Sequence, residues 1–148
     1  MPVTILYFDI AHAIRTHDYI IETSGGLKGN KNIDSLESVL ENIQNDLYYP
    51  EFVEKLTHLV FSVDKFHAFN DGNKRSAIGL GAYFLEINGY NHCVEHFIRE
   101  MENIVVWVAE NKIDKSLLGE LILALIEDGQ YDESLQLRLI DVIKDDGP

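Results

Sequence analysis

The stretch HAFNDGNKRSAIGLGAYFLEI, from His67 to Ile87, decides the fold of this chain. Its second part, which begins at Asn73, contains the run AIGLGAYFL, in which apolar residues cover every side of a helix. The run stops at Asn88-Gly89, a pair that commonly ends helices. Because a helix with no polar face must be covered by its neighbours, the stretch predicts a central helix over 73–87 with other helices around it.

Outside this stretch, apolar residues recur at helical spacing and not at the alternating spacing of strands. Asp9 is placed to cap the first helix, and Pro50 is placed in the first turn of the third. The predicted helices cover residues 10–24, 34–43, 50–66, 73–87, 97–110, 116–126 and 134–143. The sequence therefore predicts an all-α protein of six or seven helices.

Length and charge limit the classes to which the protein can belong. Its 148 residues predict a single domain over 1–148, and its 46% apolar and 25% charged residues are typical of soluble globular domains. The net charge of −13 repels phosphate backbones, which argues against general nucleic-acid binding and against binding to anionic membranes. Residues 127–148, with seven acids and two bases, are predicted to form an acidic C-terminal helix and tail.

Cysteine usage and the N-terminal segment bear on the compartment. Cys93 is the only cysteine, so neither an intramolecular disulfide nor a cysteine-rich zinc module can form. The N-terminal segment lacks the pattern of a secretory signal, and no stretch reaches 18 consecutive apolar residues. We therefore expect a cytoplasmic protein.

The chemistry of the chain is concentrated in HAFNDGNKR, residues 67–75. A loop that ends in Gly72 at the start of a helix presents free backbone N–H groups and the positive end of the helix dipole, which together suit an anion. Lys74 and Arg75 in the first turn oppose that dipole, by about 0.3 to 1 kcal/mol each, unless an anion is bound there. Asp71 offers an oxygen ligand for Mg²⁺, and His67 can accept a proton from a hydroxyl.

Each of these residues also has a structural interpretation. Asp71 could cap the helix, Phe69 could be a core residue and His67 could be an ordinary surface histidine. A second segment, SGGLKGNKN from Ser24 to Asn32, is rich in glycine and predicts a loop or a short hairpin. The whole string of complementary groups at 67–75 favours a functional site over the structural interpretation.

The string HAFNDGNKR resembles the signature of the Fic/Doc superfamily, H-x-F-x-[D/E]-[G/A]-N-x-R, whose members transfer phosphate-containing groups from nucleotides to hydroxyls of target proteins. Further blocks resemble the death-on-curing branch of bacterial toxins: LYFDIAHAIRTHDYIIETSGGLKG near the start, LESVL in the second helix and NGY after the fourth. The resemblance extends from Ile5 to Tyr90 and implies a Fic/Doc-like helical domain around a central helix.

The resemblance also implies roles for the residues of the motif, His67 to Arg75. His67 would be the general base, Phe69 the core residue that holds the loop, and Asp71 the Mg²⁺ ligand. The phosphates of ATP would be bound by Gly72, Asn73, Lys74 and Arg75. Asn73 and Arg75 would also be catalytic residues. The segment from Ser24 to Asn32 matches the family's flap, which docks the target by strand-like pairing, here through Gly25, Gly26, Leu27, Lys28 and Gly29.

Departures from the family pattern bear on the group that is transferred. Members that transfer AMP usually have proline, glycine and a second arginine where this chain has Ala68, Lys74 and Ile78. Ile78 cannot make a charge-assisted bond to phosphate, whereas the death-on-curing branch shares Lys74 and lacks the second arginine. That branch usually has alanine in place of Gly72. The pattern favours phosphate transfer from ATP over AMP transfer.

The resemblance further implies a biological setting. The substrate would be a Ser, Thr or Tyr hydroxyl of a target protein, with a translation factor as one candidate, and the chain would be the toxin of a toxin and antitoxin pair with a small antitoxin as partner. The alternatives are AMP transfer and a catalytically silent interaction module. The sequence does not determine the target, the antitoxin and its binding site, or the oligomeric state.

Overall fold

The structure is a computed structural model that describes residues 4–144. In that range all regular secondary structure is helical, with no strand, and the predicted all-α fold is confirmed. The helices are α1 (Ile10–Ser24), α2 (Ile33–Asn42), α3 (Phe52–Lys65), α4 (Asn73–Ile87), α5 (Asn91–Ala109), α6 (Lys115–Glu127) and α7 (Glu133–Ile143). Residues 145–148 of the predicted acidic tail lie outside the described residues.

Two predicted helix starts are wrong. Helix α3 begins at Phe52 because Glu51 is its N-cap and forms a capping box with Glu54, so Pro50 precedes the helix. Helix α5 begins at Asn91, six residues before the predicted start at 97. The added segment carries Cys93, which is buried one turn before Phe97 and extends the buried face of the helix.

Helix α4 is the central helix, as predicted. It packs against α1, α3 and α5, and its inward side chains, including Leu80, Phe84 and Leu85, have no exposed surface. Gly81 allows this close packing: a Cβ atom added there would lie 2.9 Å from Phe97 Cζ and 2.9 Å from Val60 Cγ2. Phe97 belongs to α5 and Val60 to α3, so both neighbours touch the backbone of α4.

The fold places the motif at one end of this helix layer. Residues 66–72, which we call the motif loop, connect the end of α3 to the start of α4, and Phe69 within the loop is fully buried. Asp9 caps α1 as predicted, by accepting a hydrogen bond from His12 N at 2.9 Å. None of the helices between residues 4 and 144 combines the length and the apolar character that a membrane crossing requires.

Candidate active site

His67 lies just beyond the end of α3 and is exposed. Its backbone has a φ of 51°, in the left-handed region that non-glycine residues rarely adopt and that histidine tolerates better than most. Within residues 4–144 no side chain or backbone group is hydrogen-bonded to its ring. The imidazole is therefore free to accept a proton from an incoming hydroxyl.

Asn73 fixes the shape of the motif loop. Its side-chain Oδ1 accepts a hydrogen bond from Phe69 N at 3.1 Å, and its Nδ2 donates one to Phe69 O at 3.0 Å. The amide group of Asn73 thus satisfies both backbone polar groups of a buried residue that lies outside any helix. What Asn73 can still offer to an anion is its own backbone N–H in the first turn of α4.

The start of α4 has no side-chain cap. Helices α1, α6 and α7 each begin with an aspartate whose side chain accepts a backbone N–H of the first turn. The N-cap residue of α4 is instead Gly72, which has a φ of 77° and carries no side chain. The first-turn N–H groups of α4 therefore lack the side-chain acceptor that the other three helices have, and an anion would satisfy them.

The Asp71 carboxylate lies beside this helix start without capping it. Its Oδ1 accepts from Gly72 N at 2.8 Å and its Oδ2 from Leu27 N at 3.0 Å. The hydrogen bonds from Leu27 and Gly72, helped by the positive charge of Arg75, hold the pKa of Asp71 below its ordinary value. The side chain is ionised at neutral pH and each oxygen retains a free lone pair, so the residue fits the predicted Mg²⁺ ligand.

The two cations of the motif have different surroundings. Arg75 donates from Nη1 to Ser24 Oγ at 2.5 Å and to Gly25 O at 2.8 Å, and its Nη2 lies 3.9 Å from Asp71 Oδ1. Lys74 is exposed and, among the described residues, forms no ion pair. Both were predicted to face phosphates; Lys74 is free to do so, whereas Arg75 is engaged with the segment that follows α1.

That segment, Ser24 to Asn32, is the predicted flap, and it pairs with the motif loop rather than with itself. Asn30 and Phe69 form an isolated antiparallel bridge, Lys31 N donates to Ala68 O at 2.8 Å, and Asn70 N donates to Gly29 O at 3.0 Å. The backbone of the flap therefore lies directly over the motif.

Gly26 permits the closest approach of the flap. Its φ is 126°, and a Cβ atom added there would lie 2.7 Å from Asp71 Oδ2 and 3.0 Å from Arg75 Nη2. Any other residue at this position would have a strained backbone and would displace either the flap or the Asp71 carboxylate. The flap is thus closed on the residues that the sequence predicts to bind metal and phosphate.

Two clefts of the protein lie away from the motif. A cleft of about 580 Å³ lies between the start of α1, α2 and Tyr83 of α4, and one of about 1010 Å³ lies between the start of α3 and α6. No residue of the motif lines either of them. The candidate site is accordingly a surface site beneath the flap, and not part of these clefts.

The sequence analysis did not single out His17, a residue on the buried face of α1. The residue is fully buried, its ring stacks on that of Phe69, and its Nε2 lies 2.6 Å from Asp71 O. A histidine among the aliphatic residues of an inward helix face was the available signal. Its partner in the motif, 54 residues later, could not be read from that signal.

Asp64 is a second residue that the sequence analysis missed. It lies in the last turn of α3, is 2% exposed, and neither of its carboxylate oxygens has a hydrogen-bond partner among residues 4–144. Burial raises the pKa of Asp64 to about 7, even though the nearby Lys74 and Lys65 act in the opposite direction. The protein therefore carries a buried acidic group without a hydrogen-bond donor in the described part of the chain, close to the Lys74 cation at the start of α4.

We predict that Asp64→Asn flattens the pH dependence of stability. Because the pKa of Asp64 is higher in the folded protein than in the unfolded chain, the folded protein retains a proton between about pH 4 and 7 that the unfolded chain releases. The free energy of unfolding of the wild type should fall by about 4 kcal/mol over that range through this residue. Urea unfolding of both proteins at pH 4.5 and pH 8 measures the difference; equal losses in the two proteins would contradict the prediction.

Comparison with known proteins gives two findings. Residues 7–85 match the family model described as Fic/DOC family. The protein named "Protein kinase doc" of Escherichia phage P1 is 30% identical to this chain over 114 residues, which are 74% of this chain and 86% of that protein. The range that matches the family model contains α1, the flap and the whole motif.

Proposed function

The chain belongs to the Fic/DOC family, and we propose that it transfers the terminal phosphate of Mg²⁺-ATP to a hydroxyl side chain of a target protein. The observation that carries the proposal is the uncapped start of α4, which directly follows a loop that contains an exposed His67 and an ionised Asp71. A proton acceptor, a metal ligand and an anion site thus follow one another within residues 67–75, and these are the groups that phosphoryl-transfer enzymes use.

The nucleotide phosphates would be bound at the start of α4. The backbone N–H groups of its first turn would receive one phosphate, and the exposed Lys74 amine can reach a second. Asp71 would hold Mg²⁺ through the lone pairs that Gly72 and Leu27 leave free. When bound, the ion neutralises part of the charge on the phosphate oxygens.

The reaction would follow in-line displacement. The hydroxyl oxygen of a Ser, Thr or Tyr attacks the γ-phosphorus; the new O–P bond forms as the bond to the β,γ-bridging oxygen breaks, and ADP leaves. His67 takes the proton of the hydroxyl, for which its ring has no competing partner among residues 4–144. The exposed position of His67 suits a hydroxyl that arrives on another protein.

Transfer of phosphate is favoured over transfer of AMP by two positions. Ile78 is half-buried and packs against the core, so the side chain one turn after the motif offers no donor to a phosphate. Lys74 places an additional charge at the helix start. The name of the phage relative, a protein kinase, supports the same choice.

Parallel incubation of the protein and a cell lysate with α-labelled and γ-labelled ATP tests the proposal. We expect label from the γ position alone on a target protein, with a mass increase of one phosphate on the intact target. Label from the α position would replace the proposal with AMP transfer. The absence of both labels would favour a catalytically silent interaction module.

The flap and the substrates would compete for the same groups. Asp71 is bonded to Leu27 of the flap, and Arg75 is bonded to Ser24 and Gly25 at its start. A phosphate or metal that engages Asp71 or Arg75 must weaken these bonds. We propose that the flap, Gly25 to Gly29, releases part of its contacts to the motif when it docks the target segment.

We propose further that the chain acts as the toxin of a toxin and antitoxin pair, with a small antitoxin as its partner. The family membership and the similarity to the phage protein support this proposal. Growth arrest on expression of the wild type, its absence with His67→Ala, and rescue by a small protein encoded beside this chain would test it. Normal growth with the wild type would contradict it.

We predict that Asp71→Ala weakens binding of Mg²⁺-ATP much more than binding of ATP in EDTA, because the carboxylate acts through the metal. Calorimetry in the two conditions measures the difference. Asp141→Ala, which removes an exposed aspartate of α7, is the matched control and should leave both affinities unchanged. Equal losses in Mg²⁺ and in EDTA would remove Asp71 from the metal site.

A further inference from the structure

The buried ring of His17 is held in one tautomer. Its Nε2 lies 2.6 Å from Asp71 O, and because a carbonyl oxygen can only accept, Nε2 carries the proton. In the neutral ring Nδ1 then has a lone pair and no proton. Within the part of the chain that the structure describes, Nδ1 is buried without a hydrogen-bond partner, and it lies 3.6 Å from the Asp18 carboxylate, which also only accepts. The ring is thus directed at one acceptor, the carbonyl of Asp71.

The same ring supports the motif loop by stacking. The ring centroids of His17 and Phe69 are 3.8 Å apart and the ring planes differ by 4°. A Cβ atom added to Gly72 would lie 3.5 Å from His17 Nε2. His17 therefore contacts the motif loop from the core side, at Phe69, Asp71 and Gly72, and is not itself part of the motif.

The hydrogen bond from His17 determines the direction of one peptide group. A trans peptide is planar, and its C=O and N–H point in opposite directions. The C=O of Asp71 points inward to His17, so the N–H of Gly72 in the same peptide points outward. The structure shows this N–H donating to Asp71 Oδ1 at 2.8 Å, on the side where Oδ2 meets the flap.

The reverse orientation of this peptide would damage the site. A flipped peptide would turn the carbonyl oxygen of Asp71 outward, where its partial negative charge would repel a phosphate at the start of α4. It would also withdraw the Gly72 N–H from the Asp71 carboxylate. Without a donor beneath it, the buried carbonyl would lack its hydrogen bond, which favours such a flip.

We propose that His17 is a positioning residue that fixes the Asp71–Gly72 peptide with its carbonyl inward and its N–H outward. It thereby fixes the position of the Asp71 side chain and the direction of the N–H groups at the start of α4. The peptide orientation is a property of the protein alone, whereas its effect on ATP rests on the proposed function.

A pair of variants separates the hydrogen bond from the stack. His17→Phe keeps an aromatic ring over Phe69 and removes the donor, while His17→Gln keeps an N–H donor near the position of Nε2 and removes the ring. Two measurements apply to each: the amide proton shift of Gly72 by NMR without nucleotide, and kcat and KM for ATP in the labelling assay. Thermal unfolding checks that each variant is folded.

We expect His17→Phe to move the Gly72 amide proton upfield, since it loses its bond to a carboxylate, and to lower kcat/KM by about 10-fold to 100-fold. His17→Gln should keep the Gly72 shift and stay within about threefold of the wild-type kcat/KM. An unchanged Gly72 shift in His17→Phe would overturn the proposal, as would equal impairment of both variants.

The two measurements also separate this inference from the proposed function. If the wild type transfers no label, the proposed function fails, and the Gly72 shift in the two variants still decides the role of His17. If His17→Phe does not fold, His17→Gln alone decides: a retained Gly72 shift supports the hydrogen bond as the determinant, and a lost shift overturns it.

Discussion

Replacement of His67 is expected to abolish phosphate transfer and to leave the protein folded. A positioned general base contributes about 10² to 10⁴ in rate, and the exposed His67 ring has no hydrogen bond within residues 4–144 that its removal would break. His67→Asn is the sharper variant because asparagine, like histidine, tolerates the left-handed backbone at a φ of 51°. Any loss of activity in it reflects the missing base and not a strained backbone.

The measurement is the initial rate of γ-label transfer for the wild type, His67→Ala and His67→Asn, with melting temperatures recorded for all three. His92→Ala, which removes an exposed histidine of α5, is the control and should retain the wild-type rate. Transfer at the wild-type rate by either His67 variant would show that another group is the base. Phosphate transfer at the start of α4 would then require a proton acceptor other than His67.

Gly81→Leu is expected to unfold the domain. Even a Cβ atom at this position would lie 2.9 Å from both Phe97 Cζ and Val60 Cγ2, and a leucine adds three further carbons to this close contact. Neither neighbour can withdraw, because Phe97 and Val60 are themselves buried in the core. The expected loss of about 4 kcal/mol or more is a large part of the stability of a domain of this size.

Gly79 provides the matched control for this prediction. It lies in the same helix, and a Cβ atom there would lie 3.4 Å from Ile20 Cδ1 and 3.6 Å from Thr16 Cγ2, which are ordinary contacts. Gly79→Ala should therefore raise the free energy of unfolding by about 0.5 to 1 kcal/mol, through the better helix propensity of alanine. Circular dichroism during urea unfolding compares the variants. A Gly81→Leu protein as stable as the wild type would show that α3 and α5 can separate from α4.

Sequence reasoning predicted the features that depend on neighbours along the chain. The apolar run after Ser76 identified the central helix, because the side chains of a helix repeat every 3.6 residues. Asp9 identified the start of α1, because an N-cap side chain bonds to a backbone N–H only three residues later. The motif was found for the same reason, since its groups occupy consecutive positions in one loop. The missed start of α5 shows the limit of this reasoning: Cys93 is the one buried residue among residues 91–96, so the apolar pattern of that segment is too weak to predict a helix.

The surroundings of the site were decided by tertiary structure alone. The flap is closed over the motif because its backbone pairs with residues 68–70, and a stretch that reads as a loop does not specify where its free N–H and C=O groups bond. Arg75 is engaged with Ser24 for the same reason, although its position in the motif predicts a phosphate contact.

His17 and Asp64 show the physical reason most clearly. In sequence each is a single polar residue on a helix, and the periodicity of that helix shows only which way it faces. Whether a buried polar group is satisfied depends on an acceptor brought to it by another segment: the Asp71 carbonyl meets His17, and no hydrogen-bond donor meets Asp64 within residues 4–144. Helix boundaries and the motif follow from local chain geometry, whereas these partners exist only once α1, α3 and α4 have packed together.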